Sequence, residues 1–283
     1  MAVIIDGKKV ASEIRQNLKK EVDDLKAKGI FPKLAVIMVG DNKASKIYVK
    51  NKSKACDEIG IDYEEILLPQ NTEMDELLLT IKELNDRKDI NGILLQSPIP
   101  EHLDIKKAFE CISYIKDIDG FNPVNVGKLS IGEDSFISCT PYGIIKLLEY
   151  YQIPIEGKHA VILGRSNIVG KPMVQCLLNK NATVTICHSK TKNIEEITKN
   201  ADIVIAAIGK AKFVKENMIK DGAVVIDVGI NRNENGHLDG DVDFSVVEKK
   251  SSYITPVPGG VGPMTIAMLI SNVVKAVKLQ YSK

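Results

Sequence analysis

Within the segment Ala44–Ile61 the lysines are not equivalent once the chain is wound as a helix. At about 100° per residue, Lys46, Lys50 and Lys54 share one stripe at i, i+4 spacing, the pattern of a solvated face. Tyr48, Lys52 and Cys56 share another on roughly the opposite side, flanked by the apolar line Ile47, Ala55 and Ile59. Lys52 therefore stands among apolar neighbours. There it either snorkels along them to water or carries chemistry, and helix spacing leaves both open. Gly92-Ile-Leu-Leu-Gln-Ser-Pro-Ile-Pro100 is an apolar strand ending in an amide and a proline-stiffened loop. Gln96 falls at its carboxyl end, where open α/β sheets gather ligand groups, unless it serves only a turn. Asp117-Ile-Asp-Gly-Phe-Asn-Pro123 sets two carboxylates at i, i+2. Paired aspartates suit a metal or acid/base chemistry, but Asp-Gly is also an ordinary turn, and the turn is the default reading.

A second group of residues points to a nucleotide. His159-Ala-Val-Ile-Leu-Gly-Arg-Ser-Asn-Ile-Val-Gly-Lys-Pro-Met173 reads as a strand, a glycine-bounded turn at Gly164 and Gly170, and an apolar helix beginning near Pro172. That arrangement aims helix N-terminal amides at a phosphate. Ser166 stands where the dinucleotide fingerprint has its second glycine, while a P-loop would need Gly at Arg165 and Ser or Thr at Pro172. After the next strand, Cys187-His-Ser-Lys-Thr-Lys192 lacks the acidic residue that holds the adenosine ribose in NAD enzymes. Ser189, Lys190 and Lys192, with Arg165, would suit a 2′-phosphate and so favour NADP; exposed loop lysines are the alternative. Pro256-Val-Pro-Gly-Gly-Val-Gly-Pro263 is stiff and nearly free of side-chain bulk, open to a flat ligand or to another backbone.

The elements that must position these groups alternate. Leu34–Val39, Tyr63–Leu68, Gly92–Gln96, then Ala160–Leu163, Thr183–Cys187, Ile203–Ile208 and Val224–Val228 are apolar β-rich runs between amphipathic segments, the signature of buried parallel strands in an α/β fold. Ser138–Pro141 and the helical segment Tyr142–Tyr151 mark the passage from one α/β unit to the next. A length of 283 residues fits two domains of roughly 150.

Composition excludes much. With 38 Lys+Arg against 37 Asp+Glu there is no charge excess to draw the chain to nucleic acid or an anionic membrane. Five cysteines without a CxxC pair fit neither a disulfide framework nor a zinc cluster, and imply a reducing cytoplasm. The four histidines show no ligand spacing, so no metal is expected. No signal peptide is read in the first ten residues. The uncharged run Tyr253–Val274 is long enough for a bilayer, but its prolines and glycines make it a loop followed by the helix Met264–Val277.

Taken together, Tyr48-x-x-x-Lys52, the Gly92–Pro100 segment, Lys116-Asp-Ile-Asp-Gly-Phe121, Cys139-Thr-Pro141, Gly164–Pro172, Gly240-Asp-Val-Asp-Phe244 and Pro256–Thr265 closely resemble the bifunctional methylenetetrahydrofolate dehydrogenase/cyclohydrolase family over nearly the whole chain. The resemblance implies an N-terminal α/β catalytic domain binding folate, residues 1–138, and a Rossmann-like NADP-binding domain with a parallel sheet, residues 139–263. The helix 264–283 would pack back on the first domain, folate would lie in the cleft, and the enzyme would be a homodimer in one-carbon metabolism and purine biosynthesis. Two departures flank the second aspartate: Tyr114 stands where the family often has Pro, and Asn122 where it often has His.

By the same resemblance Lys52 is the acid/base group of the cyclohydrolase step, Gln96 tunes it, Tyr48 stacks on the aminobenzoyl ring and Asp119 binds the pterin. Pro258, Gly259 and Gly262 would border folate and nicotinamide, with Gly164, Arg165, Ser166, Ser189, Ile230 and Thr265 on the cofactor side. Hydride transfer needs positioning more than a base, whereas ring opening by water needs protons moved, which a partly desolvated lysine can do. Two rivals stand beside this reading: another NADP-dependent two-domain dehydrogenase using Lys52 as its base, and a catalytically silent folate or dinucleotide sensor on the same fold.

Overall fold

The central apolar runs, such as Leu34–Val39 and Ile203–Ala206, are covered on both faces and so tolerate bulk at every position, whereas Tyr63–Leu68 and Thr183–Cys187 lie at sheet edges and stay partly open. In the computed structural model, which describes residues 2–233 and 236–281 and leaves the side chains of Lys43 and Ala44 outside the described part, the chain divides into two units. One comprises Glu13–Ile137 and Ile266–Lys283, the other Met1–Ser12 and Ser138–Thr265.

In chain order the strands are β1 (Val3–Ile4), β2 (Lys33–Val39), β3 (Asp62–Leu68), β4 (Gly92–Leu95), β5 (His159–Leu163), β6 (Thr183–Cys187), β7 (Ile203–Ala206), β8 (Val224–Asp227), β9 (Asn231–Arg232), β10 (Leu238–Asp239) and β11 (Tyr253–Ile254). The helices are α1 (Gly7–Ala27), α2 (Lys43–Ile59), α3 (Met74–Asp86), α4 (Ile105–Cys111), α5 (Pro123–Ser130), α6 (Cys139–Tyr150), α7 (Gly170–Leu178), α8 (Ile194–Thr198), α9 (Phe244–Val247) and α10 (Val261–Tyr281).

The unit built on residues 13–137 holds a parallel sheet in the order β3-β2-β4. Leu34 pairs with Gly92 and Ile37 with Leu95, and the central β2 is buried from Leu34 to Val39. Its core joins Ala35, Ile37 and Leu95 to Leu77, Ile81 and Leu84 of α3. Burying such side chains contributes roughly 1.5–3 kcal/mol each, which outweighs the weak strand preference of short runs. The later part of α10 belongs here: Asn272 Nδ2 donates to Ile118 O (2.7 Å) and Ile137 O (3.0 Å), and Lys275 Nζ to Ser135 O (2.8 Å). α10 is long and apolar enough to cross a membrane by length and composition, yet most of it is buried within the protein.

The other unit carries a parallel sheet in the order β1-β11-β8-β7-β5-β6. β6 lies on one side of β5 and β7 on the other, so the chain reverses its direction of winding there. This is the expected two-part α/β architecture with a Rossmann-like sheet. At the N-terminus the chain is divided otherwise than the expected 1–138 boundary: Val3 and Ile4 pair with Tyr253 and Ile254, and Lys8 N–H donates to Gly259 O (3.2 Å), which ties the first residues to the second unit. Tyr253–Ile254, expected as the start of a loop, is a strand for the same reason.

Candidate active site

α2 is bounded by two local signals. Asn42 Oδ1 accepts the Ser45 N–H at its start (3.0 Å), and Gly60 ends it in a left-handed conformation at φ 85°. The buried line of this helix is Ser45, Val49, Cys56 and Ile59, with Ala55 beside it. Ile47, expected in the apolar line, is 63% exposed; Val49 takes its place, a shift that periodicity could not detect in so mixed a segment. Half-buried Lys52 falls between Val49 and Cys56 on that inward line, while Lys46, Lys50 and Lys54 are exposed as expected. Tyr48, one turn earlier, is half open to solvent.

Gln96 follows β4 and is itself buried, its N–H donating to Ile37 O (2.8 Å). Lys52 Nζ donates to Gln96 Oε1 at 2.9 Å, and Gln96 Nε2 donates to Ser97 O at 2.7 Å. The amide is thus held at both ends, its oxygen turned to the lysine.

The Lys116–Asp119 stretch runs parallel beside β4, with Ile93 opposite Asp117 and Ile93 N–H donating to Lys116 O (2.8 Å). The pairing stops at that bridge: Ile118 N–H donates back to Lys116 O (3.0 Å) and Gly120 N–H to Asp117 O (3.2 Å), so Asp119 stands in the turn that follows. The two aspartates have separate duties. Asp117 is buried and accepts from Phe121 N–H (3.2 Å), Asn122 N–H (2.8 Å) and Asn125 Nδ2 (2.8 Å), so it shapes the turn. Burial pushes its carboxyl up to about 6 against these hydrogen bonds. Asp119 is half-buried. Lys116 is a buried lysine with donors to Leu84 O, Asn85 O and Arg87 O at the end of α3, and burial lowers its pKa. Asn122, at the family's frequent histidine position, donates to Ile112 O (2.9 Å) and accepts from Val124 N–H (2.8 Å), so it closes α4 and caps α5. Tyr114 is exposed, with Lys128 Nζ over its ring at 5.5 Å.

In the second unit Gly164, at φ 116°, follows β5; a Cβ there would lie 2.2 Å from Ala207 O, and one on Gly170 2.2 Å from Gly164 O. Both glycines are required by close backbone approach. α7 begins at Gly170, two residues before the expected Pro172, because Ser166 Oγ accepts from Val169 N–H (3.1 Å) and Gly170 N–H (3.3 Å). Leu163 pairs with Cys187, so Arg165 and Ser189 each stand two residues past neighbouring strand ends. Arg165, Lys171, Ser189, Lys190 and Lys192 are all exposed there, and no carboxylate occurs between Cys187 and Asn193. The cationic donor set and the Cβ-free turn fit a phosphorylated dinucleotide.

The glycine-proline loop encloses a cavity of about 140 Å³ with Lys8, Asp227, Gly229, Ile230, Leu238 and Pro258 in its wall. Gly259 takes φ 111°, and Ile230 is exposed at the rim. Thr265 Oγ1 donates to Gly262 O (2.8 Å). Lys8 and Leu238 were not expected here; the distant pairing of β1 with β11 brings Lys8 to the loop, and Leu238 stands in the short β9–β10 antiparallel pair. A larger polar hollow of about 480 Å³, lined by Lys26, Lys33, Asp57 and Tyr63, lies at the amino ends of β2 and β3, the opposite end of the sheet from Gln96. It contains none of the expected residues.

Residues 5–119 match the family model of the tetrahydrofolate dehydrogenase/cyclohydrolase catalytic domain, and residues 138–281 that of its NAD(P)-binding domain. The chain is 57% identical over 278 residues to a protein of Oceanobacillus iheyensis described as bifunctional protein FolD, covering 98% of each. It is 51% identical to the solved bifunctional FolD methylenetetrahydrofolate dehydrogenase/cyclohydrolase of Campylobacter jejuni, with a TM-score of 0.98 over 99% of both chains. A Trypanosoma brucei dehydrogenase-cyclohydrolase solved with NADP and an inhibitor matches at 39% identity and a TM-score of 0.93 over 98% of each chain.

Proposed function

Because the chain belongs to the tetrahydrofolate dehydrogenase/cyclohydrolase family, we propose that Tyr48, Lys52, Gln96 and Asp119 form its folate site, and Gly164, Arg165, Ser166, Ser189, Ile230 and Thr265 its NADP site. Pro258, Gly259 and Gly262 border both ligands. The enzyme oxidises 5,10-methylenetetrahydrofolate to 5,10-methenyltetrahydrofolate with NADP and hydrolyses that product to 10-formyltetrahydrofolate.

Bound NADP supplies the hydride acceptor. The methylene carbon gives up hydrogen with its electron pair, leaving a cation delocalised over two ring nitrogens, and no side chain has to take a proton. Tyr48 and Asp119 hold the folate, one by stacking and the other by accepting from the pterin N–H groups. Hydrolysis asks more of the chain. Water oxygen bonds to the methenyl carbon and loses a proton, then the bond from that carbon to N5 breaks as N5 gains one proton and the remaining hydroxyl releases its own to solvent, leaving the formyl carbonyl on N10. Lys52 takes the first proton as an amine and returns one as an ammonium, with Gln96 Oε1 aligning its Nζ. The observation that carries this reading is the 2.9 Å Lys52–Gln96 bond, made by a lysine on the inward line of α2.

The choice of NADP over NAD is supported by Arg165 and Ser189 on adjacent strand ends. A 2′-phosphate would find charge there instead of the carboxylate that pairs with a free ribose. Spectrophotometric assay of methylenetetrahydrofolate with each nicotinamide cofactor tests the whole reading; turnover with NAD at least equal to that with NADP would overturn this cofactor assignment.

We further infer a cytoplasmic homodimer whose product serves formyl transfer in purine biosynthesis. Free cysteines buried or half-buried in the protein suit a reducing compartment. The seven-residue edge strand β3, with Leu67 60% exposed, supports pairing with a second copy. Light scattering coupled to gel filtration tests this, and a monomer at micromolar concentration would refute it.

A further inference from the structure

The segment Gly240-Asp241-Val242-Asp243-Phe244 takes no part in either chemical step, yet Asp241 is fully buried. Its Oδ2 accepts from the N–H of Ile208 (2.7 Å) and Gly209 (3.0 Å), and its Oδ1 from Lys210 N–H (2.8 Å) and Asn231 Nδ2 (3.0 Å). Successive backbone amides aimed at one point make an anion-binding concavity, and here the anion is supplied by the chain itself.

The amides belong to the loop leaving β7, and Asn231 to the stretch following β8. A second buried carboxylate locks the segment in place: Asp227, the last residue of β8, accepts from the N–H groups of Gly229, Asp241 and Val242, each at 2.9 Å. There is no slack. A Cβ on Gly229 would lie 2.2 Å from Asp241 Oδ1, and one on Gly240 1.8 Å from Asp227 Oδ2.

In an open parallel sheet a ligand lies outside the carboxyl ends of the strands where the winding reverses. That reversal falls between β5 and β7, so the Gly164 turn and the 208–210 loop flank the crevice, and Gly164 already abuts Ala207 O. We propose that Asp241 is a positioning residue for NADP, an internal counter-anion that sets the 208–210 loop as one wall of the dinucleotide crevice. This rests on the cofactor site proposed above.

The test uses the full-length Asp241→Asn protein. An amide of the same shape cannot accept on its nitrogen, so one half of the cradle is lost. Calorimetric titration should show the NADP dissociation constant raised at least tenfold, with amide exchange at 208–210 accelerated. Hydrolysis of methenyltetrahydrofolate, whose proposed groups Lys52 and Gln96 lie in the other unit, should stay within about twofold of wild type. An unchanged dissociation constant, or NADP binding and hydrolysis falling in parallel, would overturn the proposal. Should that variant not fold, Asn231→Ala removes one of the four bonds, and a dissociation constant that does not rise would overturn it equally. Arg165→Ala separates the premise from the proposal: if it weakens NADP binding while Asp241→Asn does not, only the positioning role fails, and if neither does, the cofactor site is wrong.

Discussion

Lys52 reaches Gln96 across two elements, α2 and the end of β4, and Gln96 can only present its oxygen because its nitrogen is committed to Ser97 O. The lysine is therefore aligned before any substrate arrives. Lys52→Met keeps most of the stem's packing and removes the titrating group. Hydrolysis should fall by roughly 10²–10⁴, the usual worth of general acid–base assistance, with the dehydrogenase falling less. A wild-type hydrolytic rate in a folded Lys52→Met protein, or equal damage from Lys50→Met, would refute the assignment.

Gln96→Ala removes the acceptor and leaves the lysine in place. The pH dependence of hydrolysis should then move, while the pH dependence of hydride transfer at saturating substrate should not. Parallel pH–rate profiles of the two activities read this directly, and coincident shifts in both would count against a specific pairing.

Asp119→Ala should weaken folate binding by roughly 10–100-fold, the range expected for losing charged hydrogen bonds, and depress both activities together. Titration with a folate analogue measures it. Unaltered affinity would transfer the pterin to another group.

For Arg165→Ala the expected signature is selectivity. The Michaelis constant for NADP should rise roughly tenfold or more through loss of a charge-assisted contact, and that for NAD should hardly change. An equal rise for both cofactors would show that Arg165 does not read the 2′-phosphate.

Asp117 offers a prediction about stability rather than rate. Its carboxyl is pushed up to about 6 by burial, from an ordinary value near 3.8, so the folded state resists its ionisation. The stabilisation is full below pH 4, where both folded and unfolded chains hold the proton, and is lost as pH rises through about 6. The change is about 3 kcal/mol at most. Glu64, held at about 2 by Arg87 and Lys33, works the opposite way and loses its contribution as pH falls below its ordinary range. Comparing urea unfolding of wild type and Asp117→Asn from pH 4 to 7 isolates the first effect: wild type should lose stability relative to the variant as pH rises. A difference independent of pH would refute it.

What could be read from residues alone followed the strength of local patterns. The buried strands announce themselves because runs such as Leu34–Val39 need no partner to be recognised, and Lys52 stood out because helix geometry is regular. Two-residue strands carry no period, so β1 and β11 were illegible until paired. α7 starts at Gly170 and not at Pro172, where the proline rule puts it, because the hydroxyl of Ser166 satisfies the amides of Val169 and Gly170. Lys8 joins the cavity wall, and Asp241 its cradle of amides, through contacts between distant residues that no spacing rule encodes.

The pairing of Val3 with Tyr253 also sets a timetable. A ribosome adding roughly 5–20 residues per second needs roughly 12–50 s to deliver the partner of β1 after β1 itself emerges. During that interval the nascent N-terminal end has no sheet to join, and the nucleotide-binding unit closes only when its earliest and latest strands meet. Bulk fused ahead of Ala2 sits beside the edge that closes last, so a folded N-terminal fusion should delay maturation more than the same fusion at the other end.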